Sequence, residues 1–322
     1  MIRSWFTVAL FTMMASVAIA APPRYSIKLL ESSDGTRPKS GMAINNLGVV
    51  VGQARDADTR GSVVFRYADG AVTRVENSQS ALAWAINDAE DMIVNQLFAY
   101  HVWWHDGRRE ELPEGLSASA LNEKGQVTGT GYAGNGRHAM LYENGQAKDL
   151  GTLGGDYSYA SSINELGQVT GSSDLAGGHK ERGYLWQNGT MTALKTLGGD
   201  DSAGQVINDQ GHIAGYADDA AGVSQTVIFA GDKITVVPWF QDAQLYIMAM
   251  NNHDQIVGDS SKGALLYDSG KTYRLKGLLD DTGAGWDKLL TAYGINDAGQ
   301  IVGTGRFNGI QRVYLATPMT AP

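Results

Sequence analysis

Seven times along the chain an Ile, Leu or Met follows a small or apolar residue and precedes an asparagine, with a strand-like Gln-Val-x-Gly shortly afterwards in the best-formed units. The units are Ala43-Ile44-Asn45, Ala85-Ile86-Asn87, Ala120-Leu121-Asn122, Ser162-Ile163-Asn164, Val206-Ile207-Asn208, Ala249-Met250-Asn251 and Gly294-Ile295-Asn296. Successive asparagines stand 42, 35, 42, 44, 43 and 45 residues apart. That period is in the range of propeller blades and far above that of a leucine-rich or hexapeptide solenoid.

Turn chemistry divides each unit into strands. In Asn164-Glu165-Leu166-Gly167 and Asn296-Asp297-Ala298-Gly299 an asparagine opens and a glycine ends a predicted type I turn, so each segment predicts a hairpin. A second hairpin is predicted where His138-Ala139-Met140-Leu141-Tyr142 runs into Asn144-Gly145, and Arg182-Gly183-Tyr184-Leu185-Trp186 into Asn188-Gly189. The same turn recurs at Asp69-Gly70 and Asp106-Gly107, with Ser269-Gly270 as a variant. Four antiparallel strands per unit is the content of one blade. The ends of the chain match in phase: residues 25–30 read as a spare fourth strand, and the last unit stops after its aromatic strand, Arg312-Val313-Tyr314-Leu315. The expected fold is therefore all-β, a seven-bladed β-propeller closed by its N-terminal strand, with no open sheet edge. A six-bladed or incompletely closed ring is the competitor, because the second unit (Asn87 to Asn95) lacks both glycines and reads as one residue longer.

The sequence resembles the extracellular HAF-repeat proteins. The resemblance is carried by His138-Ala139-Met140, Leu150-Gly151-Thr152-Leu153-Gly154-Gly155, Thr196-Leu197-Gly198-Gly199 and the Ile-Asn-x-x-Gly-Gln-Val-x-Gly core, over nearly the whole chain after residue 20. It implies export and a repeat architecture, and transfers no catalytic residues.

Composition adds the compartment. Residues 1–20 read as a signal peptide, with Arg3 at the start, an apolar run from Trp5 to Val17 and an Ala18-Ile19-Ala20 cleavage site, which leaves residues 21–322 as one propeller domain. That domain is expected to be secreted or periplasmic. There is no cysteine, which excludes disulfides, thiolate metal sites and a lipidated cysteine. The formal net charge of -9 argues against nucleic acid or an anionic membrane surface as a partner. Glycine, at 41 residues, is close to twice its usual share and marks a turn-rich chain.

Repetition in every unit marks structure, so function is expected where the units differ. The aromatics Tyr67, Trp104, Tyr142, Trp186, Phe229 and Tyr267 are expected in the core, and the seven asparagines as turn caps. If both hairpin turns lie on one face, the variable connections share the other. Candidate ligand-binding residues on them are Asp156, Tyr157, Asp200, Asp201, Trp239, Asp242, Trp286 and Asp287, with Phe240 beside them. Flat aromatic faces next to carboxylates suit a sugar, which needs an apolar platform and acceptors for its hydroxyls. The expected function is a binding module for an extracellular glycan or protein. The alternatives are a carbohydrate-active hydrolase or lyase, with an acidic pair drawn from Asp156, Asp200, Asp219 and Asp287, and a structural or adhesion protein. No catalytic residue is assigned, and no cofactor is expected beyond an oxygen-liganded loop calcium. Asp56-Ala57-Asp58 begins like a calcium loop, but Arg60 and the missing distal Glu spoil it. Ser269-Gly270-Lys271-Thr272 is a hairpin turn rather than the end of a P-loop.

Overall fold

The computed structural model describes residues 22–97, 99–177, 180–240 and 245–319. They form seven four-stranded antiparallel sheets, each a meander in which sequence neighbours pair. The first strands are Arg37–Ile44, Ala81–Ile86, Ser117–Leu121, Gly154–Ile163, Gly198–Ile207, Tyr246–Met250 and Trp286–Ile295. Each contacts the first strand of the next blade, and the seventh contacts the first, so these strands line the axis of a closed ring. The fourth strand of blade seven is Tyr25–Leu29, paired antiparallel with Ile310–Pro318. The phase match of the chain ends is thus realised: the N-terminal strand completes the last blade.

The core lies between blades. The described residues form seven apolar clusters, one per interface. The joint of blades seven and one, for example, combines Val302, Val313 and Leu315 with Ile44, Val50, Phe65 and Tyr67. The joint of blades one and two combines Val51 and Val64 with Ala81, Ala83, Val94 and Trp103. A blade is therefore buried on both faces, which is why second strands carry consecutive apolar pairs such as Val50-Val51 and Ile256-Val257 instead of strict alternation.

Both turn predictions hold in most blades. In the first hairpin the glycine N–H bonds back to the asparagine carbonyl, as from Gly167 to Asn164, and the glycine has positive φ, 74° at Gly167. In the second, Asn144-Gly145 and Asn188-Gly189 both have positive φ, the two-residue turn that suits strand twist.

Blade two departs from expectation in two details. It has no extra residue: Asp91 stands four residues after Asn87, as Gln168 does after Asn164, and Met92 pairs in the register of Val169. Glu90 takes the place of the turn glycine at φ 67°, held by two 2.6 Å bonds from Arg66. Its second turn is longer, spanning 104–108, because Trp103 pairs with Arg109. Trp103, only 3% exposed, therefore fills the core position expected of Trp104. Tyr67, Tyr142, Trp186, Phe229 and Tyr267 are buried as expected.

Candidate functional site

The meander puts both hairpin turns of every blade on one face and the two remaining connections on the other, here the hairpin face and the loop face. The repeated asparagines do more than cap turns. Each side-chain oxygen accepts one or two backbone N–H groups of its own turn, as Asn164 does from Leu166 and Gln168 and Asn87 from Asp91. Each side-chain nitrogen donates to the backbone oxygen of the equivalent asparagine in the next blade. Asn45 bonds to Asn87, Asn87 to Asn122, Asn122 to Asn164, Asn164 to Asn208, Asn208 to Asn251, Asn251 to Asn296, and Asn296 to Asn45, at 2.9–3.3 Å.

A second ring lies outside the first. The residue after each asparagine accepts, through its side chain, the backbone N–H of its counterpart in the preceding blade, at 2.7–3.0 Å. Its members are Asn46, Asp88, Glu123, Glu165, Asp209, Asn252 and Asp297. Burial raises the Glu165 carboxyl above its ordinary range, and the charges of Glu123 and Asp209 add to the rise. These rings enclose a shallow polar depression of about 190 Å³ on the hairpin face. Every blade repeats them, and the acceptors of the first ring are spent on their own turns and those of the second on the preceding blade.

The loop face differs. A funnel of about 560 Å³ opens there, within the size range of ligand pockets. It is lined by the residue three before each asparagine: Met42, Trp84, Ser119, Ser161, Gln205, Met248 and Tyr293. In all seven first strands this residue is skipped by the pairing with the second strand, as Ser161 is between Ala160 and Ser162. A β-bulge leaves its extra residue out of the ladder and re-aims the side chain, here toward the funnel. The glycine of Val-x-Gly accommodates this path in six blades. A Cβ on Gly171 would lie 1.8 Å from the Tyr159 carbonyl oxygen, and the equivalent approach is 1.9–2.3 Å at Gly52, Gly129, Gly215, Gly258 and Gly303. Blade two carries Val94 at that register position.

Tyr100, Ser117, Thr130, Arg137 and Tyr159 complete much of the wall. Trp84, Tyr159 and Met248 are 42%, 45% and 39% exposed, so large apolar side chains face the opening rather than the core. No carboxylate lines the funnel among the described residues.

None of the sequence candidates lines it either. Asp156 and Tyr157 are exposed at the start of the first strand of blade four, with Asp200 and Asp201 at the same place in blade five. Asp200 pairs with Lys180 at 2.7 Å, which holds its carboxyl below the usual range, and Asp201 accepts the Glu181 N–H at 2.9 Å. Both aspartates thus tie blade five to the loop of blade four. Asp219 accepts from the Val223 and Ala221 N–H groups, and its carboxyl is likewise lowered. Trp239 is half-buried, and Phe240 lies beneath the Arg274 guanidinium, 4.6 Å from it. Asp242 lies outside the described residues. Trp286, expected on the face, is instead 3% exposed and packs edge-on against Phe307 and Tyr314. Its neighbour Asp287 accepts the Gly309 N–H at 2.6 Å.

Asp259, at the loop-face end of the second strand of blade six, has its carboxyl raised by burial and was not singled out from the sequence. Asp56 is saturated by Asp58, Thr59 and Arg74. No group of three metal-ligating side chains occurs among the described residues. The signal for the funnel was present in the sequence: the position three before each asparagine reads Met, Trp, Ser, Ser, Gln, Met, Tyr within an otherwise repeated strand.

No family model and no curated protein matches the chain. Solved structures do. The β-propeller domain of the Trilobed protease from Pyrococcus furiosus, described as having an open velcro topology, aligns with a TM-score of 0.54 and 10% identity over 88% of this chain and 99% of that one. The extracellular domain of a hybrid two component system from B. thetaiotaomicron aligns at 0.57 and 10% over 92% of this chain and 40% of that one. TolB from Acinetobacter baumannii is 14% identical at a TM-score of 0.46, and this chain spans 64% of it. The first two likenesses establish a propeller fold and no particular activity. No helix among the described residues is long and apolar enough to cross a membrane.

Proposed function

We propose that this is an exported binding module that holds an extracellular ligand, a polysaccharide before a protein, in the funnel of the loop face. The observation that carries the reading is the bulge in every first strand, which turns a ring of seven non-identical side chains away from the ladder and into one cavity. Exposed Trp84 and Tyr159 offer flat faces for sugar rings. Ser161 and Gln205 offer groups that donate and accept, as sugar hydroxyls do, and Ser119, whose hydroxyl donates to the Ala160 carbonyl at 2.8 Å, offers an acceptor. A glycosidase needs two carboxylates across a cavity. The described wall has none, which favours binding over hydrolysis. The signal-like residues 1–20 and the HAF-repeat resemblance support export.

The test is a glycan array probed with the protein from residue 21 onward and with a Trp84→Ala/Tyr159→Ala variant whose melting temperature is unchanged. Selective binding that the variant loses is the expected result. Binding retained by the variant would place the ligand elsewhere, and no binding by either protein would overturn the glycan reading.

A further inference from the structure

We infer that the funnel selects an acidic polysaccharide, seating the carboxylate of a uronate unit on Arg137; this rests on the glycan reading above. Arg137 is the one charged side chain on the described wall of the funnel, in a chain whose net charge is -9. It belongs to the third strand of blade three, Gly136–Glu143, and lines the funnel together with the small first-strand residues Ser117, Ala118 and Ser119.

Its donors are under-used. Nη2 makes two long bonds, 3.3 Å to Ser117 Oγ and 3.4 Å to the Thr130 carbonyl, and the buried Nε meets no acceptor. The ion pairs of the described residues do not include it. The buried Nε is out of a ligand's reach, but the Nη1–Nη2 edge of a guanidinium is shaped to take a carboxylate through two parallel N–H bonds. The guanidinium carbon lies 5.4 Å from the Tyr132 ring centroid, so one face of the group is already covered.

The rest of the wall suits the remainder of a uronate. Trp84 and Tyr159 present apolar faces, and the hydroxyl and amide groups of Ser119, Ser161, Thr130 and Gln205 match ring hydroxyls. An acidic peptide would satisfy Arg137 but leave these groups with fewer partners, so a sugar acid is the better fit to the whole surface.

Isothermal titration of oligogalacturonate, oligoguluronate and oligoglucuronate, each beside its carboxyl-reduced neutral counterpart, tests the assignment. The proteins are wild type, Arg137→Gln and Trp84→Ala, each confirmed folded by its melting curve. One acid form should bind about 10- to 100-fold tighter than its reduced partner, the worth of a charge-assisted pair. Arg137→Gln should erase that ratio, while Trp84→Ala weakens both forms and preserves it. Equal binding of an acid and its reduced partner, still sensitive to Trp84→Ala, would overturn the role of Arg137 and leave the glycan site standing. Binding of none of the sugars, with or without capture of an acidic peptide such as oligoglutamate, would overturn both.

Discussion

At the scale of single residues, two tryptophans separate recognition from stability. Trp84 stands on a bulge, 42% exposed, whereas Trp286 is enclosed by Phe307 and Tyr314. Trp84→Ala should leave the melting temperature within a degree or two and weaken ligand binding. Trp286→Ala should cost about 3–5 kcal/mol, read from chemical denaturation. Glu165 yields a pH prediction. Its folded-state carboxyl is raised above its unfolded value, so between the two the folded protein holds the extra proton, and stability from this group falls as pH rises through that window. Glutamine keeps an oxygen to accept the Glu123 N–H but does not titrate. The melting temperature of Glu165→Gln relative to wild type should therefore climb as pH rises above the ordinary glutamate range, about 4; a difference that stays flat would contradict the raised carboxyl. The turn role of the asparagines could be read from Asn-x-x-Gly, but their bonds to the next blade could not. Which atom the side-chain nitrogen meets depends on a strand some forty residues away.

At the scale of the strand, the bulge and the facing glycine form one device. Gly171→Ala forces a Cβ against the Tyr159 carbonyl, and it should destabilise by about 1–3 kcal/mol, as overpacking does. Because Tyr159 lines the funnel, the same variant should also weaken ligand binding, a coupling that a purely structural glycine would not show. Both hairpins were legible in the sequence because each depends on neighbours within a few residues, and the fourth-strand closure, which pairs Tyr25 with Pro318, because the repeat leaves the two chain ends in complementary phase. The bulge was not. An extra residue in one strand shows only against its partner, and a plain period-two reading of Ala160-Ser161-Ser162 hides it. The expected aromatics lie outside the cavity for a related reason: they stand in or beside the variable connections, while Met42, Trp84, Gln205, Met248 and Tyr293 vary inside the repeated strand itself.

At the scale of the whole molecule, stability depends on closing the circle. Among the described residues, Tyr25–Leu29 joins the two ends of the chain within a sheet, and Asn296 to Asn45 is the matching joint in the asparagine ring. Removing residues 22–30 should expose the edge of Ile310–Pro318, lower the melting temperature and promote association through that edge, measured by light scattering. Asn296→Ala should cost about 1–3 kcal/mol, since it leaves buried backbone groups without their partner. The bulges have a further consequence for how such a molecule changes over generations. Seven side chains converge on one cavity without pairing in the ladder that holds it, and apart from Ser119, which donates to the Ala160 carbonyl, each can be exchanged while the frame stays intact. Ligand preference and fold integrity are inherited as nearly separate traits, and chains with the same asparagines and glycines can be expected to recognise quite different molecules.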